Sequence, residues 1–303
     1  VILELSSWQL ADLRGRKLLK PYISLITKIV PDHQNWYANM SEYVADKRLI
    51  YADQTKEDYT LVDFDGDTVG TGPITGGTWG DLFASESKGT VIRYSQKDLS
   101  RYAKGMNGAW QSFDDDNVFS GMVKLPDWPK AQKVLGKLKV PGVHMRCNTM
   151  NAALVLAIMG VEPAFIESTL GQWTGIPHRL QFFHTWQSPS GTKFRFFNDS
   201  CSTVPEAAAV ASQSFGKQVV FITGGTDKGL DFMPLAATLN YKDSFSTKVY
   251  KLYLLDGTGT EKLVQLLKKD QIDFDKPFDS LELLLKKLKE DLLMAGDSFL
   301  SDT

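Results

Sequence analysis

The sequence has little cysteine, no long hydrophobic run and no large excess of charge of one sign. Only Cys147 and Cys201 occur among the 303 residues, which argues against a disulfide framework and fits a reducing compartment. No apolar run approaches the roughly 20 residues that a membrane-spanning helix needs. The formal net charge of −2 at pH 7 gives no general electrostatic reason to expect nucleic acid or acidic lipid as a partner. We therefore expect a cytoplasmic protein with no nucleic-acid partner and no membrane partner.

The chain also lacks an initiator methionine, a signal peptide and a phosphate-binding glycine loop. It begins within a strand-like run, Val1 to Leu5, and we therefore expect a piece of a longer polypeptide. No G-x-x-x-x-G-K-[ST] motif and no shorter G-K-T run occurs in it, although such a loop is a common phosphate-binding device. With 43% hydrophobic and 23% charged residues, the composition is that of a soluble globular protein long enough for two domains.

The strongest pattern lies within residues 174–232, where polar clusters follow strand-like runs. Phe194 to Phe197 predict a buried strand, and residues 198–204 predict a loop at its carboxyl end. Residues 205–215 predict an Ala-rich helix with proline in its first turn. Residues 219–223 repeat the strand and lead into a Gly-Gly pair, where backbone amides can approach an anion closely. Because open α/β sheets bind ligands at the carboxyl ends of their strands, this stretch predicts a binding site.

The remaining segments predict further strands and helices around this stretch. Apolar runs at residues 1–5 and 22–30 predict buried strands, and apolar residues at helical spacing predict helices over 40–51 and 142–158. Residues 53–139 are rich in Gly, Thr, Asp and Trp and contain several turn signals, which favours a small, mostly antiparallel sheet. Downstream, strands and helices are predicted to alternate over 249–255, 261–269 and 281–293, with a last strand from Ser298.

Three motifs follow one another in the central stretch. They are His178-Arg179, then Asn-Asp-Ser-Cys-Ser-Thr-Val at 198–204, and then Gly-Gly-Thr-Asp-Lys-Gly-Leu-Asp-Phe at 224–232. Their order and spacing resemble the HR, NDSKATN and GGxDKxxDF motifs of the Mur ligases.

The start of the chain carries the same resemblance. Residues 3–10, Leu-Glu-Leu-Ser-Ser-Trp-Gln-Leu, are similar to the family's ELSSFQL. Asp32-His33 and residues 46–51 resemble its DH pair and its lysine-bearing helix. The resemblance therefore covers nearly the whole chain and is weakest over residues 63–139.

The resemblance implies an α/β fold with two domains. Residues 1–177 would form a parallel-sheet central domain with a small antiparallel sheet, which binds ATP and Mg²⁺ and lacks its upstream P-loop part. Residues 178–303 would form a Rossmann-like, doubly wound C-terminal domain that binds the amino acid and is truncated at its end.

The resemblance also implies an activity, that of an ATP-dependent amide ligase. Such an enzyme joins glutamate to UDP-N-acetylmuramoyl-L-alanine through an acyl phosphate, in the cytoplasmic synthesis of the peptidoglycan precursor. It thereby serves cell wall biogenesis, cell shape and cell division. ATP and Mg²⁺ would be the cofactors, and we expect a monomer. Because the family's G-K-T loop lies upstream of the Glu4 segment, we expect residues 1–303 alone not to turn over ATP.

Residue by residue, the resemblance assigns a role to each matching position. Metal binding falls to Glu4, His33 and Lys47, the last of these if its amine is carbamylated. Nucleotide binding falls to Asn148, Arg179 and Asp199. Substrate binding falls to Ser6, Ser7, Thr203, Lys228 and Cys201. The residues expected to serve catalysis directly are Lys47, His33 and Lys228.

Two departures from the family pattern bear on these roles. Cys201 stands where NDSKATN has its lysine, and the loss of a charge-assisted hydrogen bond costs about 1.5–3 kcal/mol. That is enough to change the amino acid, and L-glutamate in place of D-glutamate is one alternative. Met145 stands where the family's G-x-H-N-x-x-N has its first Asn, while His144 and Asn148 agree, and Asn151 lies one turn further on.

Three other interpretations of the sequence stay open. In the first interpretation, the chain is a ligase-like module that binds nucleotide or precursor without catalysis, although a protein that only binds does not need a metal-binding lysine. Alternatively it is a folate polyglutamyl ligase, although the HR and NDS spacings fit that enzyme less well. A third interpretation makes Cys201 a nucleophile beside His178 or His184, although a free cysteine is more often an inert small residue.

Overall fold

A computed structural model describes residues 1–30, 36–66, 72–73, 76–239, 249–270, 272 and 274–294. The chain divides into two compact units. Unit 1 comprises residues 1–138 and 147–172, and unit 2 comprises residues 139–146 and 173–303. The domain limits expected from the sequence stay a prediction.

Unit 1 is built on one mixed sheet, which has six strands among the described residues, in the order β1-β2-β3-β4-β5-β6. The strands β1 to β4 run parallel to one another, whereas β5 and β6 pair antiparallel at the β4 edge. A small antiparallel part is thus present, but it continues the parallel sheet. The expectation of a mostly antiparallel sheet over residues 53–139 is wrong for β2 to β4, which pair parallel. The strands are β1 (Ile23–Leu25), β2 (Tyr59–Asp63), β3 (Thr90–Ser95), β4 (Gly108–Phe113), β5 (Phe119–Lys124) and β6 (Gln132–Leu135).

Helices cover both faces of this sheet. On one face, buried residues of β2 and β3 such as Leu61 and Ile92 share a core with Leu154 and Ile166. On the other face, Val62 shares a core with residues of α2 and α3. The helices are α1 (Ser7–Asp12), α2 (Met40–Lys47, continued by a 3₁₀ turn, Arg48–Tyr51), α3 (Trp79–Glu86), α4 (Leu99–Tyr102), α5 (Val143–Ile158, whose first four residues belong to unit 2) and α6 (Pro163–Gln172).

Unit 2 contains an antiparallel hairpin, β7 with β8, and a parallel pair, β9 with β10. The side chains of β10 alternate between two cores, as the pleat of a strand requires. Leu252 and Leu254 pack with α7, α8 and α9, whereas Tyr253 packs with α10 and the hairpin. Helices therefore cover both faces of the pair. The elements are β7 (Gln181–Gln187), β8 (Lys193–Asn198), α7 (Pro205–Ser212), β9 (Val219–Gly224), α8 (Met233–Leu239), β10 (Val249–Leu255), α9 (Thr258–Lys269) and α10 (Leu281–Met294).

The predicted α/β class is confirmed, and most predicted helices and strands lie within a few residues of the observed ones. Two strand predictions are wrong in extent. Residues 1–5 form no strand and are largely exposed, and the run at 22–30 contributes only three residues to β1. A strand exists only where a neighbour accepts its hydrogen bonds, and β1 pairs with β2 over three positions alone. The strand predicted from Ser298 lies outside the described residues.

The strand predicted at Phe194–Phe197 is less buried than expected. The strand at Phe194–Phe197 exists as part of β8, but its side chains are half-buried or exposed. Within the described residues, β8 pairs on one edge only, with β7. A two-stranded hairpin has too little neighbouring surface to bury both faces of its strands.

The substitution Gly224→Ala is expected to destabilise unit 2 strongly. Gly224 has φ +136°, and a Cβ there would lie 2.1 Å from the backbone oxygen of Leu255, its partner across the β9–β10 ladder. Strain in this backbone region costs about 1–3 kcal/mol, and forcing the strands apart costs a similar amount. We expect the free energy of unfolding, measured in urea, to fall by at least about 3 kcal/mol.

Gly225→Ala is the matched control for this prediction. Gly225 has nearly the same φ, +132°, but a Cβ there would meet no atom within 4 Å. The control should therefore lose only the strain contribution. Equal losses for the two variants would contradict the importance of the close approach between β9 and β10.

Candidate functional site

Lys47 lies at the end of α2, and polar contacts fix this helix at both ends. Asn39 caps its start, with its side-chain oxygen accepting from the amide of Glu42 at 3.0 Å. Near its end, the buried carboxylate of Asp46 accepts a hydrogen bond from the Tyr37 hydroxyl at 3.0 Å and pairs with Arg14. Such a buried charge needs these partners, and together they hold the last turn of α2 in place.

The Lys47 side chain is half-buried. Its ammonium lies 5.5 Å from the centroid of the Tyr43 ring, a distance at which an ammonium is attracted to the ring face. As the last basic residue of the helix it also complements the helix dipole. Partial burial is one condition under which a lysine amine loses its proton more readily.

The segment around Glu4 leads into α1. Glu4 is exposed, and Ser6 caps the helix. The Ser6 hydroxyl accepts from the amide of Gln9 at 3.3 Å, and the Gln9 side chain accepts from the Ser6 amide at 2.8 Å. Ser7 is buried. The structure thus gives Ser6 a local structural use, while its assignment to substrate stays a prediction.

The HR turn and the Asn-Asp-Ser loop, predicted separately, lie against each other in unit 2. Asp199 accepts from the amide of Leu180 at 2.8 Å, and the amide of Cys201 donates to the carbonyl of His178 at 2.9 Å. The side chains of Asn198 and His178 are 3.1 Å apart at Nδ2 and Nδ1. His178 and Leu180 adopt positive φ, 63° and 42°, which bends the turn towards the loop.

Arg179 lies in this turn, between the two residues with positive φ. His144 is near enough to Arg179 and Asp199 for their charges to act on it. Burial lowers the pKa of His144, the Asp199 carboxylate opposes that shift, and the Arg179 guanidinium adds to it. The Nδ1 atom of His144 is buried and has no hydrogen-bond partner among the described residues. A cation, a carboxylate and an imidazole of lowered pKa therefore collect at one place in unit 2.

The third motif forms a turn after β9 with Lys228 at its apex. The Asp227 carboxylate accepts hydrogen bonds from the amides of Gly229 and Leu230, at 2.9 and 3.3 Å. These bonds close the turn around Lys228, which lies between Asp227 and Gly229. Lys228 is exposed at this apex, and no ion pair joins it to another of the described residues. An ammonium held in this way can attract a carboxylate from solution.

The other predicted residues are placed as follows. Cys201 is exposed, and its thiol donates weakly to the Pro177 carbonyl at 3.9 Å. Thr203 is also exposed, just before α7. Asn148 is exposed on α5, whereas Asn151 is buried. Asp32 and His33 lie outside the described residues.

Asp63, at the carboxyl end of β2, is a candidate that the sequence reasoning missed. Burial, together with the nearby Asp65 carboxylate, raises its pKa to about 6. Lys28 and hydrogen bonds from backbone amides, including that of Gly66 at 3.1 Å, oppose the shift. A carboxylate directly after an apolar run was the signal that could have found it, since functional groups collect at this edge of a parallel sheet.

The raised pKa of Asp63 predicts a pH dependence of stability. Because its folded pKa lies above the unfolded value of about 3.8, the folded state binds more protons between these values. Stability is therefore lost as pH rises from about 4 to about 7. Because solvent screens this partly exposed carboxyl, we expect the free energy of unfolding of unit 1 to fall by only about 1–2 kcal/mol over this window. Asp63→Asn should remove that fall, as measured by urea unfolding at several pH values. Asp53→Asn, which changes an exposed aspartate, is the control. If the free energy of unfolding of Asp63→Asn fell with pH as steeply as that of the unsubstituted protein, the prediction would be contradicted.

Comparison with known proteins places these motifs in a family. The family model for the Mur ligase middle domain matches residues 1–157. The chain belongs to the Mur ligase family. Its sequence is 32% identical to the UDP-N-acetylmuramoylalanine--D-glutamate ligase of Treponema pallidum over 95% of this chain and 61% of that protein. It is 30% identical to the enzyme of that name from Caldicellulosiruptor saccharolyticus, over 95% of this chain and 56% of the relative. The chain thus spans little more than half the length of these relatives.

Solved structures of the family share the fold. MurF from Acinetobacter baumannii superposes with a TM-score of 0.59 at 14% identity, over 90% of this chain and 54% of that one. A pseudomurein peptide ligase type C from Methanothermus fervidus gives a TM-score of 0.55 at 12% identity, over 96% of this chain and 61% of the ligase. These likenesses support the α/β architecture of the Mur ligases for this chain.

The described residues contain neither a helix that could cross a bilayer nor a metal-binding group of His, Cys, Asp and Glu side chains. None of the helices there is both long and apolar enough to cross a bilayer. In the same part of the chain, no three His, Cys, Asp or Glu side chains are grouped closely enough to hold a metal ion. The metal site predicted at Glu4, His33 and Lys47 stays a prediction, because His33 lies outside the described residues and lysine is not one of these residue types.

Proposed function

We propose that this chain is the part of an ATP-dependent amide ligase that joins glutamate to UDP-N-acetylmuramoyl-L-alanine. The observation that carries the proposal is the likeness over 95% of the chain to relatives named for that reaction. The HR turn and the Asp227 turn add support, because hydrogen bonds hold the backbone of each turn and each carries a cationic side chain that can attract an anionic substrate. We also propose that the protein acts in the cytoplasm, as a monomer.

The reaction needs ATP because hydroxide is a poor leaving group for amide formation at neutral pH. Transfer of the γ-phosphoryl group to the substrate carboxylate gives an acyl phosphate and ADP. The amine of glutamate then attacks the acyl carbon, loses a proton, and the tetrahedral intermediate expels phosphate. The protein's main task is to hold the reactants in line and to stabilise the charge on the transferring group.

In unit 2, Arg179 would bind nucleotide phosphate, since its planar guanidinium can meet two oxygens at once and stays charged. The hydrogen bonds on either side of Arg179, from the Leu180 amide to Asp199 and from the Cys201 amide to the His178 carbonyl, would limit the motion of its backbone. Asp199 would contact the nucleotide while it holds the turn through Leu180. Asn148, which is exposed on α5, stays a proposed nucleotide ligand by its place in the motif.

Lys228 would bind a carboxylate of the incoming amino acid, together with Thr203. Both side chains are accessible to solvent. Ser6 and Ser7 would contact the UDP-linked substrate from unit 1. The Ser6 hydroxyl accepts from the Gln9 amide at 3.3 Å and donates to the Gln9 side-chain oxygen at 3.0 Å, so a substrate contact would replace the bond that it donates.

Magnesium would be held by Glu4 and Lys47 with His33. Mg²⁺ prefers oxygen ligands, so an ammonium group cannot serve, whereas a carbamate on the Lys47 amine supplies two oxygens. Carbamate formation requires that the Lys47 amine first give up its proton. The half-buried position of Lys47 favours this loss, whereas the Tyr43 ring and the end of α2 favour the charged ammonium. When bound, the ion would screen the negative charge of the phosphates. Glu4 and a carbamylated Lys47 would therefore supply the oxygen ligands of the proposed site.

Cys201 bears on which isomer of glutamate is used. The relatives are named for D-glutamate, whereas a thiol in place of the motif's lysine removes one cation near the amino acid. The thiol is exposed and points to the Pro177 carbonyl, so it supplies no replacement charge. We therefore keep L-glutamate as the alternative substrate.

The test is phosphate release by what we call the extended polypeptide: residues 1–303 preceded by a nucleotide-binding segment that carries a G-K-T loop. It would be assayed with ATP, Mg²⁺ and UDP-N-acetylmuramoyl-L-alanine, and with D-glutamate, L-glutamate or no amino acid. Release that depends on D-glutamate is the expected result and makes Cys201 a tolerated change.

Release that depends on L-glutamate alone would support the ligase and make Cys201 part of the selectivity, which Cys201→Lys should then shift towards D-glutamate. The absence of release with either isomer would overturn the ligase proposal. Binding of ATP or precursor without turnover would then favour a nucleotide- or precursor-binding module.

A further inference from the structure

The turn that carries Lys228 is fastened to the start of α9 in unit 2. The hydroxyl of Thr260 accepts from the amide of Gly225 at 3.0 Å, and that of Thr258 accepts from the amide of Asp227 at 3.0 Å. The amide of Gly259 donates to the Gly225 carbonyl at 2.9 Å. The first half of the turn is therefore held by α9, more than 30 positions away in sequence.

One contact in this set carries charge. Lys262, on α9, forms an ion pair with Asp227, whose other oxygen closes the turn around Lys228. The Lys262 ammonium, followed by backbone hydrogen bonds of the turn, holds the pKa of Asp227 below its usual value. Half of the Lys262 side chain is exposed, whereas the Asp227 side chain is largely covered. The pair thus presents its cation outward.

The ion pair changes what the turn offers to an approaching ligand. Asp227 and Lys228 are neighbours in sequence, so an uncompensated Asp227 carboxylate would oppose the attraction of Lys228 for an anion. With Lys262 paired to it, the Asp227 charge is cancelled locally. The charge of Lys228 then remains, because no ion pair engages it within the described residues.

We propose that Lys262 is a positioning residue for the amino-acid site: it neutralises Asp227, so that the turn presents Lys228 as a net positive charge to a dicarboxylic amino acid. This role rests on the proposed function, in which Lys228 binds a carboxylate of glutamate. The threonines of α9 hold the backbone of the turn, whereas Lys262 acts through charge. The two contributions can therefore be separated by substitution.

The experiment compares Lys262→Met, Lys262→Arg and the double variant Asp227→Asn with Lys262→Met in the extended polypeptide. The measured quantities are the KM for glutamate and, separately, kcat. Lys262→Met leaves Asp227 unpaired and should raise KM by roughly tenfold, the size expected for one unit charge beside a partly exposed site. The kcat value should change by less than about twofold. Lys262→Arg keeps the charge and should keep KM within about threefold.

The double variant decides between charge and structure. The amide side chain that Asp227→Asn introduces would still accept from the amides of the turn, but without a charge to cancel. KM should therefore return to within about threefold of the unsubstituted protein. An unchanged KM in Lys262→Met, or a double variant as poor as Lys262→Met, would overturn the role of Lys262. Absence of glutamate-dependent phosphate release in the unsubstituted protein would instead overturn the proposed function itself.

Discussion

Replacing Lys47 by arginine is expected to lower kcat of the extended polypeptide by about 10²–10³-fold, the scale seen when one group that stabilises transition-state charge is removed. Arginine keeps the positive charge and the attraction to the Tyr43 ring, which lies 5.5 Å from the Lys47 ammonium. Its guanidinium stays protonated and cannot form a carbamate. A large loss in this variant therefore separates a carbamate role from a simple cationic one. Steady-state phosphate release at saturating substrates is the measurement.

The exposed Lys56→Arg serves as the control for Lys47→Arg, because Lys56 pairs only loosely with Glu57 at 3.8 Å. In ¹³C-bicarbonate, the unsubstituted chain should show a carbamate signal in the ¹³C NMR spectrum that Lys47→Arg lacks. Full activity in Lys47→Arg would mean that the lysine only complements the end of α2. The metal assignment of Glu4 and Lys47 would then fail.

Lys228→Ala is expected to raise the KM for glutamate by roughly 10- to 100-fold. The variant removes one charge-assisted bond to a carboxylate, worth about 1.5–3 kcal/mol, and each 1.4 kcal/mol corresponds to about tenfold in affinity. Because Lys228 lies at the apex of a turn closed by Asp227, its truncation should leave the fold intact. The measurement is KM for glutamate in the extended polypeptide, with unfolding in urea as a check on stability.

Lys217→Ala is the matched control for Lys228→Ala, since it removes an exposed lysine of unit 2 that lies outside the motif. The KM for ATP should stay the same in both variants. If Lys228→Ala raised the KM for ATP and left that for glutamate unchanged, the turn would belong to the nucleotide site. The proposed role of Lys262 would then need the same reassignment.

The predictions for Lys228 and Lys262 concern a turn that is held differently from the HR turn. The HR turn is fixed by the neighbouring loop, through the Asp199 carboxylate and the Cys201 amide. The Lys228 turn is fixed by α9 through two threonines and an ion pair. In each case a side chain with a proposed role in binding projects from backbone that other residues hold. Thr258, Thr260 and Lys262 have no proposed ligand contact, so their substitution should alter binding by Lys228 through the turn alone.

Much of the fold could be predicted from local patterns. Residues 142–158 show helical spacing and a glycine stop, and α5 begins and ends within a residue of that range. The strands β9 and β10 also lie where their apolar runs predict them. By contrast, the strand predicted at residues 1–5 is absent, because an apolar run becomes a strand only when another strand pairs with it, and pairing is not a local property.

The family, the order of the motifs and the residue types available for chemistry could all be identified from the sequence alone, because each depends only on residues that are close together along the chain. Three other features could be seen only in the folded chain. Asp63 has a raised pKa, a Cβ at Gly224 would clash with the backbone oxygen of Leu255, and Lys262 pairs with Asp227. Each of these depends on segments about 30 residues apart, or on burial by several elements at once. Burial and distance set charge energies and steric limits, and both are fixed only when the chain has folded.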